Sequence, residues 1–163
     1  MSATLGLFRK YMNPVFIETG ALIGTGIQIA INSGFKTIYS IERDKLYFKM
    51  CTERFADYPN VNIILGDSRQ ELSKLIGTIE HPITFWLDGH DDNDYPVLEE
   101  LETIKTHPLK NHTILIDDLR MFDRSKNGID ISILREKLLQ INPDYTFTLE
   151  EGYTENDILV AKI

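Results

Sequence analysis

The sequence predicts an α/β fold in which a doubly wound sheet of seven strands, five parallel strands plus a C-terminal antiparallel pair, has helices on both faces. Two observations lead to this class. Short apolar runs rich in β-branched and aromatic residues alternate with longer amphipathic stretches, a pattern typical of a parallel sheet covered by helices. The segment 151–156 is too short for a parallel crossover, which needs a dozen residues or more, so the last two strands are expected to run antiparallel.

The elements are bounded by Gly, Pro, Asn or Asp, which favour turns and helix ends. The predicted strands are Val15–Glu18, Thr37–Glu42, Val61–Leu65, Ile83–Asp88, His112–Asp117, Tyr145–Glu150 and Asp157–Ile163. The predicted helices are Thr25–Ser33, Lys45–Tyr58, Arg69–Ile76 and Val97–Thr106, with one more near Ile131–Ile141. Cys51 falls in a helix and Trp86 in a strand, and we expect both side chains in the core.

Length and composition indicate one globular domain, residues 1–163, because a second core would leave each half with little apolar surface to bury. The longest apolar runs, such as Ile114–Ile116, are far shorter than the roughly 20 residues of a membrane span, and the first residues lack a signal-peptide apolar region. A single cysteine excludes an intrachain disulfide. We therefore expect a cytoplasmic protein without a membrane partner.

The formal net charge of −8 argues against nucleic acid as the main partner. Binding to a phosphate backbone needs clustered Lys and Arg, whereas the 17 basic residues here are scattered along the chain.

Each of the five parallel strands ends in an acidic residue or is followed at once by one: Glu18, Glu42, Asp67, Asp88, and Asp117 with Asp118. In open α/β sheets, ligands bind outside the carboxyl ends of the strands, where the strand order reverses. Helix capping is the alternative, and we favour it for Asp44, Ser68 and Asp94. Capping does not explain Glu18 or Glu42, because glutamate is a poor cap and both residues close a strand.

The turn after the first strand contains Gly20, Gly24 and Gly26, which allow a tight turn and close approach of a ligand to the backbone. Its spacing is neither that of a dinucleotide-binding turn nor that of a phosphate loop. No Lys or Arg lies between Val15 and Asn32, so Glu18 would repel a pyrophosphate but suits an ammonium or sulfonium group. Glu18, Gly20 and Gly24 are therefore predicted to bind a cationic cofactor.

The next two strand ends suit an adenosine. An acid in the position of Glu42 accepts hydrogen bonds from ribose hydroxyls in such folds. Asp67 and Ser68 follow the third strand, where an adenine would extend, and they offer acceptors for its exocyclic amine; helix capping is the alternative for Asp67.

These residues resemble class I S-adenosylmethionine-dependent methyltransferases, which are Rossmann-like, and most closely the small metal-dependent O-methyltransferases of the catechol and caffeoyl-CoA type. The resemblance runs from about Phe16 to Leu119. The segments that carry it are Glu18-Thr19-Gly20-Ala21 with Gly24, Ile41-Glu42, Gly66-Asp67-Ser68-Arg69-Gln70, Leu87-Asp88 and Ile116-Asp117-Asp118. The stretch Phe85–His90 is also similar to sugar O-methyltransferases of the macrocin type. The resemblance implies S-adenosylmethionine as the cofactor. It also implies that Asp88 both binds this cofactor and is a ligand of the metal.

Asp88, Asp117 and Asp118 end neighbouring strands, and each pair of such charges at about 4 Å costs roughly 4 kcal/mol in a partly screened site. We expect a divalent cation among them, most simply Mg²⁺, since this hard ion takes carboxylate oxygens. Two alternatives stay open. Arg120 or Lys126 folds back as an internal counter-ion, or Asp118 caps a turn.

His90 is the candidate general base beside Asp88, because the ordinary pKa of histidine, about 6.5, lies near working pH. The resembling family usually carries a basic residue soon after the fourth-strand aspartate, whereas here Asp88 is followed by Gly89-His90-Asp91-Asp92. A merely solvated histidine is the alternative.

We expect methyl transfer to a hydroxyl of a sugar, glycan or similar small-molecule acceptor. The segments Gly89–Tyr95 and Met121–Asp130 are predicted to wall the acceptor, because residues 2–13 make at most about two or three helical turns, too few to cover a small ligand. A homodimer partner completing the pocket is the alternative. Other readings are a catechol-type phenol methyltransferase, a non-catalytic cofactor-binding subunit, and a nicotinamide dehydrogenase, against which Glu18 and the glycine spacing count.

Overall fold

Seven strands form one mixed sheet in the computed structural model, which describes residues 3–91 and 94–163. The strands are β1 Val15–Thr19, β2 Thr37–Glu42, β3 Val61–Leu65, β4 Ile83–Leu87, β5 Thr113–Ile116, β6 Thr146–Glu150 and β7 Ile158–Lys162. Their spatial order is β3-β2-β1-β4-β5-β7-β6. Strands β1 to β5 pair in parallel, and β7 runs antiparallel to both β5 and β6. The predicted sheet of five parallel strands and a reversed pair is confirmed.

Within the described residues, six α-helices cover the two faces of the sheet: α1 Leu5–Lys10, α2 Thr25–Ser33, α3 Lys45–Arg54, α4 Ser68–Ile76, α5 Val97–Thr106 and α6 Ile131–Ile141. Side chains alternate between the faces along each strand, so Phe16 packs with α1, α2 and α3 whereas Ile17 packs with α4, α5 and α6. Trp86 lies in the first of these cores and is almost fully buried. The predicted doubly wound arrangement, with a core on each face, is thereby confirmed.

Five of the seven strands differ from prediction by one residue at one or both ends, and one predicted helix differs by more. Helix α3 ends at Arg54 rather than Tyr58, because Phe55 already caps it and Pro59 disfavours helical backbone in the residue before it. Helix α1, whose first turn Thr4 caps, is not among the predicted helices. None of the helices in the described ranges has the length and apolar character that crossing a bilayer requires.

The capping predictions are right for one residue of three. Asp44 caps α3 by accepting from the amides of Leu46 and Tyr47. Ser68 is instead the first residue of α4, and the residue that caps this helix is Asp67. Asp94 does not cap α5, because its carboxylate is held by the guanidinium groups of Arg43 and Arg69 and the helix begins after Pro96.

Strand order reverses between β1 and β4, which is where open α/β sheets bind ligands. Gly20 leaves β1 there in the left-handed region, at φ +85°. A Cβ on Gly20 would lie 2.5 Å from the carbonyl oxygen of Asp88, which follows β4. The two loops therefore meet through a contact that only glycine permits.

Candidate active site

Two adjoining cavities lie at the carboxyl ends of the parallel strands. The larger, of about 290 Å³, is lined by the predicted residues Glu18, Gly20, Asp88, Asp117 and Asp118. The smaller, of about 30 Å³, is lined by Gly20 again and by the predicted residues Glu42, Asp67 and Ser68. Gly20 thus borders both cavities, and together they run from the ends of β4 and β5 to the ends of β2 and β3.

Glu18 lies on the wall of the larger cavity with a carboxyl group that is 1% exposed. Its Oε1 accepts a hydrogen bond of 2.7 Å from the hydroxyl of Ser40. Burial, with smaller contributions from Asp88 and Glu42, raises the pKa of Glu18 to about 8. A positive group placed beside this carboxyl would therefore stabilise its ionised form.

Gly26 belongs to the same wall although the sequence did not single it out as a binding residue. A Cβ on Gly26 would lie 2.1 Å from Oε2 of Glu18, so any side chain would displace that carboxyl. Gly24, which was predicted to bind the cofactor, borders neither cavity. It adopts φ +80° at the start of α2, where a Cβ would lie 2.5 Å from the Phe55 ring. The close approach at Gly24 is therefore to the core.

Glu42 joins two loops at the smaller cavity. Its Oε2 accepts from the amide of Leu22, at 2.8 Å, and its Oε1 accepts from the amide of Asp44, at 2.7 Å. Each carboxylate oxygen has a second lone pair, so these bonds leave acceptor capacity for ligand hydroxyls. Asp67 accepts from the amide of Arg69 at 2.9 Å, which makes it a helix cap and a cavity residue at once.

The acids after β4 and β5 are divided between two clusters that share Asp118. Asp88, His90 and Asp118 form one, and Asp117, Asp118 and Asp157 form the other, each with ligand atoms within 4.8 Å of one another. Nε2 of His90 lies 3.2 Å from Oδ2 of Asp118 and 3.7 Å from Oδ1 of Asp88. The three predicted metal ligands, Asp88, Asp117 and Asp118, therefore do not make up one compact donor set.

Arg120 supplies a positive charge within the second cluster. Its Nη1 donates to Oδ1 of Asp118 at 2.5 Å and also pairs with Asp157, whose side chain is fully buried. The guanidinium lies over the Tyr153 ring, 4.7 Å from its centroid. Of the two predicted alternatives for an internal counter-ion, the structure contains Arg120, while Lys126 pairs with Asp123 instead.

The charges of this region shift one another's protonation. Burial, and then the carboxylates of Asp117 and Asp118, raise the pKa of Asp88. The hydrogen bond to Asp118 raises the pKa of His90. Burial works against ionisation of Asp118, but hydrogen bonds from His90 and Arg120 outweigh it and lower the pKa of that carboxyl. His90 therefore resembles a counter-ion, and its role as a general base stays a prediction.

The predicted acceptor walls meet through aromatic rings. His90 stacks on Tyr95 at 5.8 Å, and Tyr95 contacts Phe122 at 5.9 Å between ring centroids. Beyond these rings lies a groove of about 620 Å³ whose lining includes Tyr95, Leu98, Met121 and Asn127. Part of the first predicted wall, Asp92 and Asn93, lies outside the described residues.

Comparison of the sequence with protein-family models and with curated proteins finds no match. Solved structures do match. An O-methyltransferase from Bacillus cereus in complex with S-adenosylhomocysteine superposes with a TM-score of 0.73 at 12% identity, over 98% of this chain and 78% of that one. An S-adenosylhomocysteine-bound methyltransferase from Podospora anserina gives 0.68 at 14% identity, over 97% and 75%. An rRNA methylase from Streptococcus thermophilus gives 0.62 at 13% identity, over 97% and 92%.

This chain therefore has the fold of class I S-adenosylmethionine-dependent methyltransferases, as the resemblance implied. Proteins that share the fold differ in acceptor, since an O-methyltransferase and an rRNA methylase are both among them. The acceptor must be argued from the residues of the site.

Proposed function

We propose that this chain transfers a methyl group from S-adenosylmethionine to a hydroxyl group of an acceptor molecule. The observation that carries the proposal is the pair of adjoining cavities at the switch point, one lined by the buried Glu18 and the other by Glu42. Gly20 borders both cavities, and Gly26 leaves room for the Glu18 carboxyl.

The residues fit each part of this cofactor. Glu18 offers a buried carboxylate to the ammonium or sulfonium side, and the ligand's positive charge offsets the cost of ionising it. Glu42 has acceptor capacity for ribose hydroxyls, and Asp67 for an adenine amine. Trp86 and Leu22 give the larger cavity an apolar wall beside the methyl group.

In the reaction, the acceptor oxygen bonds to the methyl carbon as the carbon–sulfur bond breaks, the sulfonium becomes a neutral thioether, and the hydroxyl proton leaves to a base. We assign that proton to the cluster of Asp88, His90 and Asp118, whose members titrate together because they share hydrogen bonds and charge. Asp88 adjoins the methyl-donor cavity, so it also aligns the donor.

A hydroxyl of a sugar or glycan is the proposed acceptor. The groove beyond Tyr95 combines an aromatic ring with amide and charged groups, a mixture suited to an extended polar ligand. The groove is partly open to solvent, whereas small ligands are mostly enclosed by their sites. A phenol is the second candidate, favoured by the rings of His90, Tyr95 and Phe122 next to the acids.

The test is transfer of labelled methyl from S-adenosylmethionine to a panel of oligosaccharides, monosaccharides and catechols. Faster labelling of an oligosaccharide than of any catechol is expected. The Asp88→Asn variant, which keeps the shape of the side chain but not its charge, should lose at least about 90% of the rate, since acid–base groups contribute about 10²-fold or more. Faster transfer to a catechol would overturn the sugar proposal while keeping the methyl-transfer proposal.

The divalent cation predicted from the sequence does not fit the acids as they stand. Both oxygens of Asp118 are engaged, Oδ1 by Arg120 and Oδ2 by His90. Mg²⁺ prefers several oxygen ligands at near-octahedral geometry, and an imidazole and a guanidinium stand where such ligands would be needed. We derive no catalytic step through a metal.

A further inference from the structure

We propose that Arg120 is the resident cation of this site and takes the place of the divalent ion that the sequence resemblance implies. The inference deepens the proposed methyl transfer and rests on it for its meaning. In this role Arg120 holds the acidic groups around the reacting atoms and offers its remaining N–H donors to the acceptor.

Arg120 is held at the cluster from several directions, as a built-in charge should be. Asp157, at the start of β7, accepts from the backbone amide of Arg120 at 3.0 Å through Oδ1. The backbone carbonyl of Asp157 accepts from the amide of Leu119 at 2.8 Å. The side-chain Oδ2 of Asp157 accepts from the amide of Tyr153 at 3.2 Å. Asp157 thus anchors both the backbone and the guanidinium of the turn that follows β5.

The place that Arg120 takes is the one a metal would need. Asp117, Asp118 and Asp157 present ligand atoms within 4.8 Å of one another, and Nη1 of Arg120 pairs with two of these three carboxylates. A metal ion there would have to displace the guanidinium. Otherwise it would share the carboxylate oxygens with the guanidinium and be repelled by its positive charge. The neighbouring group gives no easier position, because His90 bonds the other oxygen of Asp118.

Arg120 also reaches the cavity in which the reaction is proposed to occur. Its side chain is about one-third exposed and lines that cavity together with Tyr153, over whose ring it lies. Both ion pairs use Nη1, and a guanidinium has five N–H donors in all, so donors remain for an oxygen of the acceptor. A metal ion would likewise neutralise the carboxylates and contact the acceptor oxygen.

The test measures Mn²⁺ binding by electron paramagnetic resonance in the full chain and in single variants. The wild-type chain and Lys126→Gln, a control variant that removes a cation paired with Asp123 instead of with the clusters, should bind Mn²⁺ equally weakly. Arg120→Gln should bind it at least about 10-fold more tightly, because removing the guanidinium exposes three carboxylates to the ion. Arg120→Lys, which keeps the charge, should return binding to the wild-type level.

Two results would overturn the proposal. One is stoichiometric, tight Mn²⁺ binding by the wild-type chain that is lost in Asp117→Asn. The other is unchanged Mn²⁺ affinity in Arg120→Gln when its circular dichroism matches that of the wild type; Arg120→Ala gives the same reading if the glutamine variant does not fold. Calorimetric titration with S-adenosylhomocysteine, run on the same samples, tests the proposed function separately. Absence of S-adenosylhomocysteine binding would contradict the proposed function, while the Mn²⁺ affinities would still test the role of Arg120.

Discussion

At the scale of single residues, one carboxylate of this site holds two loops and keeps acceptor capacity toward the smaller cavity. Glu42 holds the amide of Leu22, in the turn after β1, and the amide of Asp44, which begins α3. These bonds fix the carboxylate with its remaining lone pairs at the smaller cavity. The sequence indicated a ribose-binding acid at Glu42, but the bonds to two loop amides depend on a turn geometry that residue spacing does not reveal.

Replacing Glu42 should therefore weaken cofactor binding. Glu42→Ala is expected to reduce the affinity for S-adenosylhomocysteine by about 1.5–3 kcal/mol, the usual range for hydrogen bonds to a charged group. Titration calorimetry measures the loss. Asp44→Ala is the matched control, because it removes a neighbouring carboxylate that only caps α3 and should lower stability with little change in affinity. Equal affinities for Glu42→Ala and the wild type, with both folded, would remove Glu42 from the site.

A pair of glycines separates backbone strain from loss of the site. Gly20 and Gly34 both have left-handed backbone, but a Cβ on Gly20 would strike the Asp88 carbonyl whereas one on Gly34 would meet nothing within 4 Å. Gly34→Ala should cost about 1–2 kcal/mol of unfolding free energy and leave S-adenosylhomocysteine affinity unchanged. Gly20→Ala should lower the affinity at least about 10-fold as well, since it separates the loops after β1 and β4. Similar affinities in the two variants would contradict this account of the switch point.

At the scale of elements, two buried histidines tie together the starts of β4 and β5 and the end of α5. Nδ1 of His112 accepts from the amide of Ile83 at 3.1 Å, and Nε2 of His112 lies 3.1 Å from Nδ1 of His107. Nε2 of His107 lies 2.8 Å from the carbonyl oxygen of Ile79. This chain of contacts requires neutral rings, each with its proton on Nε2. Both histidines are buried, so their contacts are structural.

This pair predicts a loss of stability in acid. Burial, and then His107, lower the pKa of His112 to about 4 from its ordinary 6.5. As pH falls below 6.5, His112 is protonated in the unfolded chain but stays neutral in the folded chain. The unfolding free energy therefore falls until about pH 4, by roughly 3 kcal/mol in all. The contribution is fully retained above the ordinary pKa.

Urea unfolding of the wild-type chain and of His112→Asn at about pH 7 and about pH 4.5 measures this loss of unfolding free energy. The asparagine is the control, because its amide oxygen replaces the Nδ1 acceptor but does not titrate in this range. The wild-type chain should lose about 2–3 kcal/mol more than the variant between the two conditions. The same loss in both proteins would show that His112 does not titrate on unfolding.

At the scale of the whole molecule, the sequence predicted the sheet well because its evidence is local. Period-two and helical patterns, bounded by Gly and Pro, can be recognised within a few residues. Six of the seven residues predicted to bind the cofactor also border the two adjoining cavities. The exception, Gly24, shows the limit. Whether a glycine faces a ligand or the Phe55 ring depends on a helix some 30 residues away.

The acidic clusters show the same limit more strongly. The sequence placed Asp88, Asp117 and Asp118 at neighbouring strand ends, but it gave no sign of Asp157, which comes from the antiparallel end of the sheet and holds Arg120 against Asp118. Contacts between residues nearly 40 positions apart follow from tertiary packing, which patterns of hydrophobicity do not encode.

In the proposed complex, the methyl donor lies across the carboxyl ends of β1 to β4 and contacts the loops that follow these strands. Amide hydrogen exchange, followed by mass spectrometry with and without S-adenosylhomocysteine, tests it most directly, because a ligand protects the loops that it contacts. With ligand bound, exchange should slow in segments 18–26, 41–46, 66–70 and 87–90. It should not change at the opposite edge of the sheet, where Tyr11, Asn13 and His112 line another cavity. Unchanged exchange in all four segments at saturating ligand, or protection confined to that opposite edge, would contradict it.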